Sequence, residues 1–280
     1  MVRRCILFGA LAACLAFACT QQGLPVPDEG KEEPGPGPGP GPDPLPDPEP
    51  QDKEVTLLPA FQEDFSSQTS DWFTFTKHTA GSDFRYFPGF PSLSESGNSI
   101  LMLRLDPADP AGQGAWVQST AFVHFGSFAV RMRLPGITAV QSRLSATAQL
   151  VLTDDDPDFG LDEIALGVRL AEPRKVYTGI ARREAGASGE PASYGASFEP
   201  GIANFNANAK FYVYGIDWSA EKIVWWVKAT PSAAETILAE TTENVPQQPL
   251  RLGFRYQSTA GQAALYPYEL EIDWMYYQPS

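Results

Sequence analysis

The chain has 280 residues, a formal net charge of −14 and 43% hydrophobic residues. The negative charge argues against nucleic acid as a partner and suits a neutral ligand. All three cysteines lie within the first 19 residues, so the rest of the chain has no disulfide and must be stabilised by a packed core.

Residues 1–19 are typical of an export signal. Arg3 and Arg4 give a basic start, and the apolar stretch Cys5–Leu15 is too short to span a bilayer. Small residues then lead to Cys19, after which the chain turns polar. This order resembles a bacterial lipoprotein signal, in which the cysteine is lipidated, with Cys14 as the alternative anchor. It predicts a protein held in the bacterial cell envelope by a lipid anchor, at the outer membrane or the cell surface.

Residues 20–54 are predicted to be an acidic linker rich in proline and glycine. The run from Pro34 to Pro42 alternates these two residues, which support neither helix nor sheet and give an extended, semi-stiff spacer. Such a spacer would hold a domain away from a membrane surface. Residues 55–280 have the length of one large β-sandwich domain.

Strand signals are dense within residues 55–280. Apolar alternation with β-branched or aromatic residues predicts strands at Ser99–Leu105, Gly126–Leu134, Leu144–Leu152, Phe211–Trp218, Ile223–Lys228, Leu250–Tyr256 and Leu270–Tyr277. Another strand is expected at Trp72–Phe75, with its two phenylalanines toward the core. The helix-like stretch Ser232–Ala239 is short and is expected in a hairpin or loop. The pattern predicts an all-β fold, a two-sheet antiparallel sandwich.

The most specific motif lies in Asp162–Ile180, DEIALGVRLAEPRKVYTGI. In a strand, alternate side chains share a face, so Glu163, Ala165 and Gly167 lie together. The residues between them are apolar and are predicted to enter the core. The face that carries Glu163 is therefore predicted to meet solvent or substrate.

This segment resembles the active-site strand of glycoside hydrolase family 16, the laminarinase-like endoglucanases. Further stretches resemble family motifs in the expected order: FQEDF (61–65), FGSFAVRMRLP (125–135), FYVYGIDWSAEKIVWWV (211–227) and EIDWMYYQ (271–278). The resemblance implies a concanavalin A-like jelly roll whose concave sheet binds a polysaccharide or oligosaccharide. We expect the protein to be a monomer.

The resemblance also assigns roles to the motif positions. In the family, three carboxylates two residues apart act as nucleophile, helper and general acid/base. Glu163 stands at the nucleophile position, whereas Ala165 and Gly167 stand at the other two. Retaining hydrolysis needs a nucleophilic carboxylate and a second carboxyl that protonates the leaving oxygen. We therefore expect a glycan-binding domain without hydrolytic activity.

Two alternatives stay open. An active endo-acting hydrolase could combine Glu163 with an acid from the run Asp154–Asp158 or from elsewhere in the chain, although that run is also typical of a solvated hairpin turn. A structural or adhesive surface domain would need no sugar specificity. A carboxyl group close to Glu163 would favour the hydrolase, and a bare sheet without a binding surface would favour the structural domain.

Aromatic side chains are the candidate sugar contacts, because sugar rings have apolar faces that pack on aromatic rings. Trp72, Phe87, Phe90 and Trp116 are the candidates. Phe87 and Phe90 belong to Tyr86–Pro91, which is predicted to be a loop at the rim of the cleft. For the two tryptophans, burial in the core is the alternative.

A structural calcium ion is the expected cofactor, and it too is implied by the resemblance. Asp64 and Asp273 stand at the corresponding places in the opening and closing strands, with the Gly97 carbonyl as a third ligand. Calcium takes six to eight oxygen ligands, so these residues would form only part of its shell. Two solvent-facing carboxylates without a metal are the alternative.

Overall fold

Two antiparallel β-sheets form the part of the chain that this computed structural model describes, residues 55–67, 70–77, 83–88, 99–105, 115–134, 146–156, 160–187, 192–258 and 268–280. Across these residues the chain forms fifteen strands and no helix. No helix of the described ranges could therefore cross a membrane. The all-β prediction is confirmed.

The first sheet has eight strands and the second has seven. The first runs in the order β13 (Thr236–Thr241), β12 (Ile223–Lys228), β11 (Tyr212–Trp218), β6 (Gly126–Arg133), β15 (Tyr268–Pro279), β4 (Ser99–Leu105) and β3 (Asp83–Pro88), with β1 (Phe61–Glu63) also paired to β15. The second runs in the order β10 (Ala192–Phe198), β9 (Val176–Arg183), β8 (Gly160–Arg169), β7 (Ala146–Asp156), β14 (Arg251–Ser258), β5 (Ala115–Ser119) and β2 (Phe73–Lys77).

The seven strands predicted from alternation all form, two of them, β4 and β12, with the predicted bounds. The helix-like stretch Ser232–Ala239 enters β13, which pairs with β12 in a hairpin. One expectation is wrong: Tyr86, Phe87 and Pro88 end strand β3 and do not belong to a loop. The alternation in DFRYF sustains the strand, and proline is tolerated at its end.

The core lies between the two sheets. From the second sheet Leu150, Ile164 and Leu166 enter it, and from the first sheet Phe128 and Ile216, all without solvent exposure. Each such side chain contributes about 1.5–3 kcal/mol by leaving water. This packing fixes the inner face of β8, and thereby turns its alternate residues, from Glu163 onward, to the outer face of the second sheet.

Candidate functional site

The outer face of β8 carries the three motif positions, as predicted. Ile164 and Leu166 are fully buried in the core, so Glu163, Ala165 and Gly167 face the other way. Glu163 is the carboxylate of this trio, and its side chain is 14% exposed. The environment of that one carboxylate therefore decides what the site can do.

Glu163 is held by Arg255, which lies on β14, two strands away. The two terminal guanidinium nitrogens donate to the two carboxylate oxygens, Nη2 to Oε1 at 2.7 Å and Nη1 to Oε2 at 3.1 Å. The Arg255 Nε donates to Gln149 Oε1 at 2.9 Å, and the Arg255 side chain is only 17% exposed. A two-point arginine–carboxylate pair of this kind fixes both geometry and charge.

The position of Gly167 leaves little room for a side chain. A Cβ atom there would lie 2.6 Å from the Ala148 carbonyl oxygen and 2.7 Å from Cγ of Gln149. Gln149 is the backbone partner of Gly167, and its side chain also accepts the hydrogen bond from Arg255. The site is therefore packed for glycine, and a carboxylate at 167 would have to displace the neighbouring strand.

The acidic run Asp154–Asp158 begins within β7 and not in the turn that follows it. Asp154 and Asp156 lie within β7, whose antiparallel pairing with β8 forms the predicted hairpin, and Asp158 lies outside the described residues. Asp155 shares the face of Glu163 but pairs with Arg183, Oδ1 to Nη2 at 2.5 Å. Asp155, which could have served as the acid partner of Glu163, is thus already paired with a cation.

Asp162 lies on the opposite face of β8 from Glu163. Burial raises the pKa of its carboxyl group above the ordinary value, while the nearby Arg182 opposes the rise and Asp154 adds to it. The Arg182 Nε is 3.5 Å from Asp162 Oδ1. A raised pKa is what a general acid needs, but this carboxyl group faces away from Glu163.

A row of small residues crosses the outer face. Gly253, Val151, Ala165, Gly179 and Gly195 are backbone partners on five adjacent strands, from β14 to β10. At about 4.8 Å per strand this floor row is ~19 Å long. Polar and larger side chains flank this row on both sides. Arg255, Gln149 and Tyr177 lie on one side, and Arg251, Thr153 and Glu163 lie on the other. The row therefore forms the bottom of a trough across the strands.

Part of this trough is a groove of about 540 Å³. A groove of this size falls within the range that binds small ligands. Its lining mixes small, hydroxyl and charged side chains: Gln149, Glu163, Ala165, Arg169, Tyr177, Gly179, Ala181, Ser193, Gly195 and Ser197. The groove lies over β8, β9 and the edge strand β10.

Tyr177 and Arg169 form one wall of the groove. The Arg169 guanidinium lies over the Tyr177 ring, 4.0 Å from its centre, and the Tyr177 hydroxyl donates to Glu172. Burial and the bond to Glu172 raise the pKa of Tyr177. Hydrogen bonds from Lys175 and Tyr177 lower the pKa of Glu172. The wall thus sets two cations, Arg169 and Lys175, against the single carboxylate of Glu172, and it places arginine N–H groups beside an aromatic ring.

The predicted aromatic contacts are scattered by the fold. Trp116 lies on the outer face of β5, with the Arg255 guanidinium 5.8 Å from its ring centre. Trp72 stacks on the core residue Phe61 at 5.1 Å and packs against the core. Phe87 is in β3 of the first sheet, and Phe90 lies outside the described residues. Of the candidates whose side chains the structure describes, Trp72 and Trp116, it is Trp116 that lies beside Arg255.

Two of the three predicted calcium ligands, Asp64 and Asp273, lie in the described residues. Asp273 is fully buried and paired with Arg131, whose positive charge would repel calcium. Asp64 accepts a hydrogen bond from the Ser66 amide at 3.1 Å, and Gly97 lies outside the described residues. Across the described ranges no three His, Cys, Asp or Glu side chains cluster to hold a metal. Two carboxylates and one carbonyl would supply only part of a calcium shell, and calcium stays a prediction.

The family can now be assigned. The model of "Glycosyl hydrolases family 16" matches residues 91–276, about two thirds of the chain. The chain belongs to glycoside hydrolase family 16. The motif resemblance is therefore confirmed. The domain belongs to a class that acts on or binds polysaccharide.

Relatives agree with this assignment. Crh-like protein 4 of Botryotinia fuckeliana (strain B05.10) is 27% identical over 146 residues, which cover 51% of this chain and 34% of that protein. The match thus spans about a third of that relative's length. A Bacillus licheniformis β-glucanase has a TM-score of 0.58 at 15% identity, covering 80% of this chain and all of that one.

A second solved structure is similar as well. The Bacteroides ovatus family 16 endo-glucanase in complex with G4G3G-2F-DNP has a TM-score of 0.56 at 13% identity, covering 77% of this chain and 98% of that one. At this level of identity the likeness shows the fold alone. That fold is the jelly-roll sandwich predicted from the sequence.

Sequence reasoning missed Arg255, Gln149 and Tyr177 as site residues. Arg255 falls within the predicted strand Leu250–Tyr256, where a charged residue among apolar ones signals the outer face. That pattern could have identified its face. It could not have identified its partner, because Glu163 is 92 residues away in the chain.

Proposed function

We propose that this protein is a surface lipoprotein whose family 16 domain binds polysaccharide on the outer face of the second sheet without hydrolysing it. The observation that carries the proposal is the two-point ion pair between Glu163 and Arg255. Attack on an anomeric carbon would first require breaking a charge-assisted hydrogen bond to Arg255. The two neighbouring motif positions, Ala165 and Gly167, supply no group that could protonate a leaving oxygen.

The groove itself supports binding over a purely structural role. Its lining combines hydroxyl, amide and arginine groups with one aromatic ring, which is the combination that reads sugar hydroxyls and faces. Of its charged groups, Glu163 is paired with Arg255, and Arg169 is stacked on the ring of Tyr177. A neutral glycan is therefore the favoured ligand class. β-Linked glucans are the first candidates, because β-glucanases are among the structural neighbours.

The binding test is a glycan array that includes β-1,3-glucan, mixed-linkage β-glucan and galactan. The array is probed with the wild-type protein and with a variant whose groove is filled by a large side chain. Ala181→Trp places a large ring in the groove beside Glu163, and we expect it to abolish the wild-type signal. Ala192→Trp is the matched control, because Ala192 is exposed on the same sheet but does not line the groove. Equal loss of signal in both variants, or no wild-type signal on any glycan, would contradict binding at this groove.

The hydrolase alternative keeps one supporting feature, since Asp155 shares the face of Glu163. It would need Asp155 to leave Arg183 and Glu163 to leave Arg255. A reducing-sugar assay beside the array separates the two functions.

Anchoring and calcium are further parts of the proposal. Lipidation at Cys19 would hold the domain at the bacterial outer membrane or cell surface, spaced by residues 20–54. Calcium at Asp64, Gly97 and Asp273 would have to recruit most of its oxygen ligands from backbone carbonyls or water. A rise in the thermal midpoint with added calcium, reversed by chelator and absent in Asp64→Asn, supports that site. An unchanged midpoint contradicts it.

A further inference from the structure

The Arg255–Glu163 pair crosses the trough instead of lying along one of its walls. Arg255 is the backbone partner of Gln149, and Glu163 is the partner of Thr153. Gln149 and Thr153 are four residues apart on β7, a separation of about 13 Å along the strand. The two side chains must therefore extend toward each other over the position between, which is Val151 of the floor row.

The burial of the floor supports this crossing. Val151 faces outward, yet it has no exposed surface, and its row neighbour Ala165 is only 7% exposed. Farther along the row toward the edge strand, Gly195 is exposed. The covered part of the floor is thus where the ion pair passes, and the open part lies over β9 and β10.

The trough is also covered at its β14 end, beyond Arg255. A Cβ atom at Gly253 would lie 3.2 Å from the indole nitrogen of Trp116. The Trp116 side chain therefore lies against the end of the floor row. The 540 Å³ groove has no lining residue from β14 or β5, so it stops before this wall.

We propose that the Arg255–Glu163 pair, backed by Trp116, closes the trough and makes the groove a blind pocket for the end of a β-linked glucan chain. This inference rests on the proposed glycan-binding function. A chain end would enter over β10 and stop at Glu163. From Ala165 to Gly195 the floor spans two strand spacings, about 10 Å, which accommodates a short terminal segment and not an internal stretch of polymer.

Titration calorimetry with laminari- and mixed-linkage gluco-oligosaccharides, from disaccharide to hexasaccharide, tests this inference. A blind pocket predicts that affinity stops rising at about the trisaccharide and changes by less than ~3-fold beyond it. Affinity that keeps rising to the hexasaccharide overturns the blind pocket and leaves the proposed function standing. No binding by any of these oligosaccharides overturns this inference, and the glycan array then decides separately whether the binding function survives.

A double variant tests the role of the ion pair directly. Glu163→Ala with Arg255→Ala removes both charges and both long side chains, so it uncovers the floor at Val151 and leaves no unpaired ion. It should open the trough toward β14, so that the hexasaccharide binds more tightly than the trisaccharide by at least ~5-fold. The control is Asp155→Asn with Arg183→Met, which removes an ion pair on the same face outside the floor row. A gain in the control, or none in the double variant, contradicts the proposal.

Discussion

The ion pair at the centre of the site can be tested through its contribution to stability. Arg255→Met removes the guanidinium, keeps much of the apolar stem, and leaves the Glu163 carboxylate without its cation. Breaking a buried pair by removing one partner costs ~3–5 kcal/mol. Since both side chains keep some exposure, 17% and 14%, we expect the free energy of unfolding to fall by about 2–3 kcal/mol.

The reverse variant should cost less. Glu163→Gln keeps an acceptor for one guanidinium N–H, and Arg255 retains its bond to Gln149 and its place near Trp116. We expect a loss of about 1–2 kcal/mol. The double variant Glu163→Gln with Arg255→Met leaves no unpaired charge, so its loss should be smaller than the sum of the single losses by at least ~1 kcal/mol.

The assay is urea unfolding of the purified protein at pH 7, followed by tryptophan fluorescence and circular dichroism. Asp155→Asn with Arg183→Met is the control, because Asp155 is 59% exposed and such surface pairs contribute about 0–1 kcal/mol. The reasoning would be refuted if the double variant lost as much stability as Glu163→Gln and Arg255→Met together, within ~0.5 kcal/mol. Such additivity is the behaviour of independent sites.

Three further predictions concern the rest of the chain. Cys19→Ala should move the protein from the membrane fraction to the soluble fraction, and release by Cys14→Ala alone would show that the other cysteine is the anchor. Residues 55–280 expressed alone should unfold cooperatively with a β-type circular dichroism spectrum, which a helical spectrum would contradict. Because burial raises the pKa of Asp162 in the folded state, its contribution to stability is present below the unfolded pKa and is lost as pH rises through the folded pKa. Asp162→Asn should therefore make the free energy of unfolding less dependent on pH above about pH 4 and slightly stabilise the protein at pH 7. An unchanged dependence on pH, measured by urea unfolding, would contradict this.

The fold was predictable because its signals are local. Strands such as Ser99–Leu105 alternate cleanly, and the motifs around Glu163 and Trp218 identified the family and the outward face of β8. Edge strand β10, ASYGASF, was missed because its small residues carry no alternation of apolar and polar side chains. Tyr86, Phe87 and Pro88 were misjudged as part of a loop because the prolines of this stretch outweighed the alternation before them.

The site was predictable only in part, because its partners come from distant strands. The loss of two carboxylates is visible in the sequence at Ala165 and Gly167. The partner of Glu163 is not visible there, since Arg255 reaches Glu163 only after β14, β7 and β8 have assembled in register. Sheet register depends on the whole pattern of pairing and not on any one motif.

The most direct test of the account is hydrolysis by the wild-type protein itself. The purified protein and its Glu163→Gln variant would be incubated with β-1,3-glucan, mixed-linkage glucan, galactan and carrageenan, and the products separated by size. Because Arg255 holds both oxygens of Glu163, and positions 165 and 167 carry no acid, we predict no oligosaccharide release from either protein. Release by the wild type that Glu163→Gln abolishes would contradict the account and establish an active hydrolase.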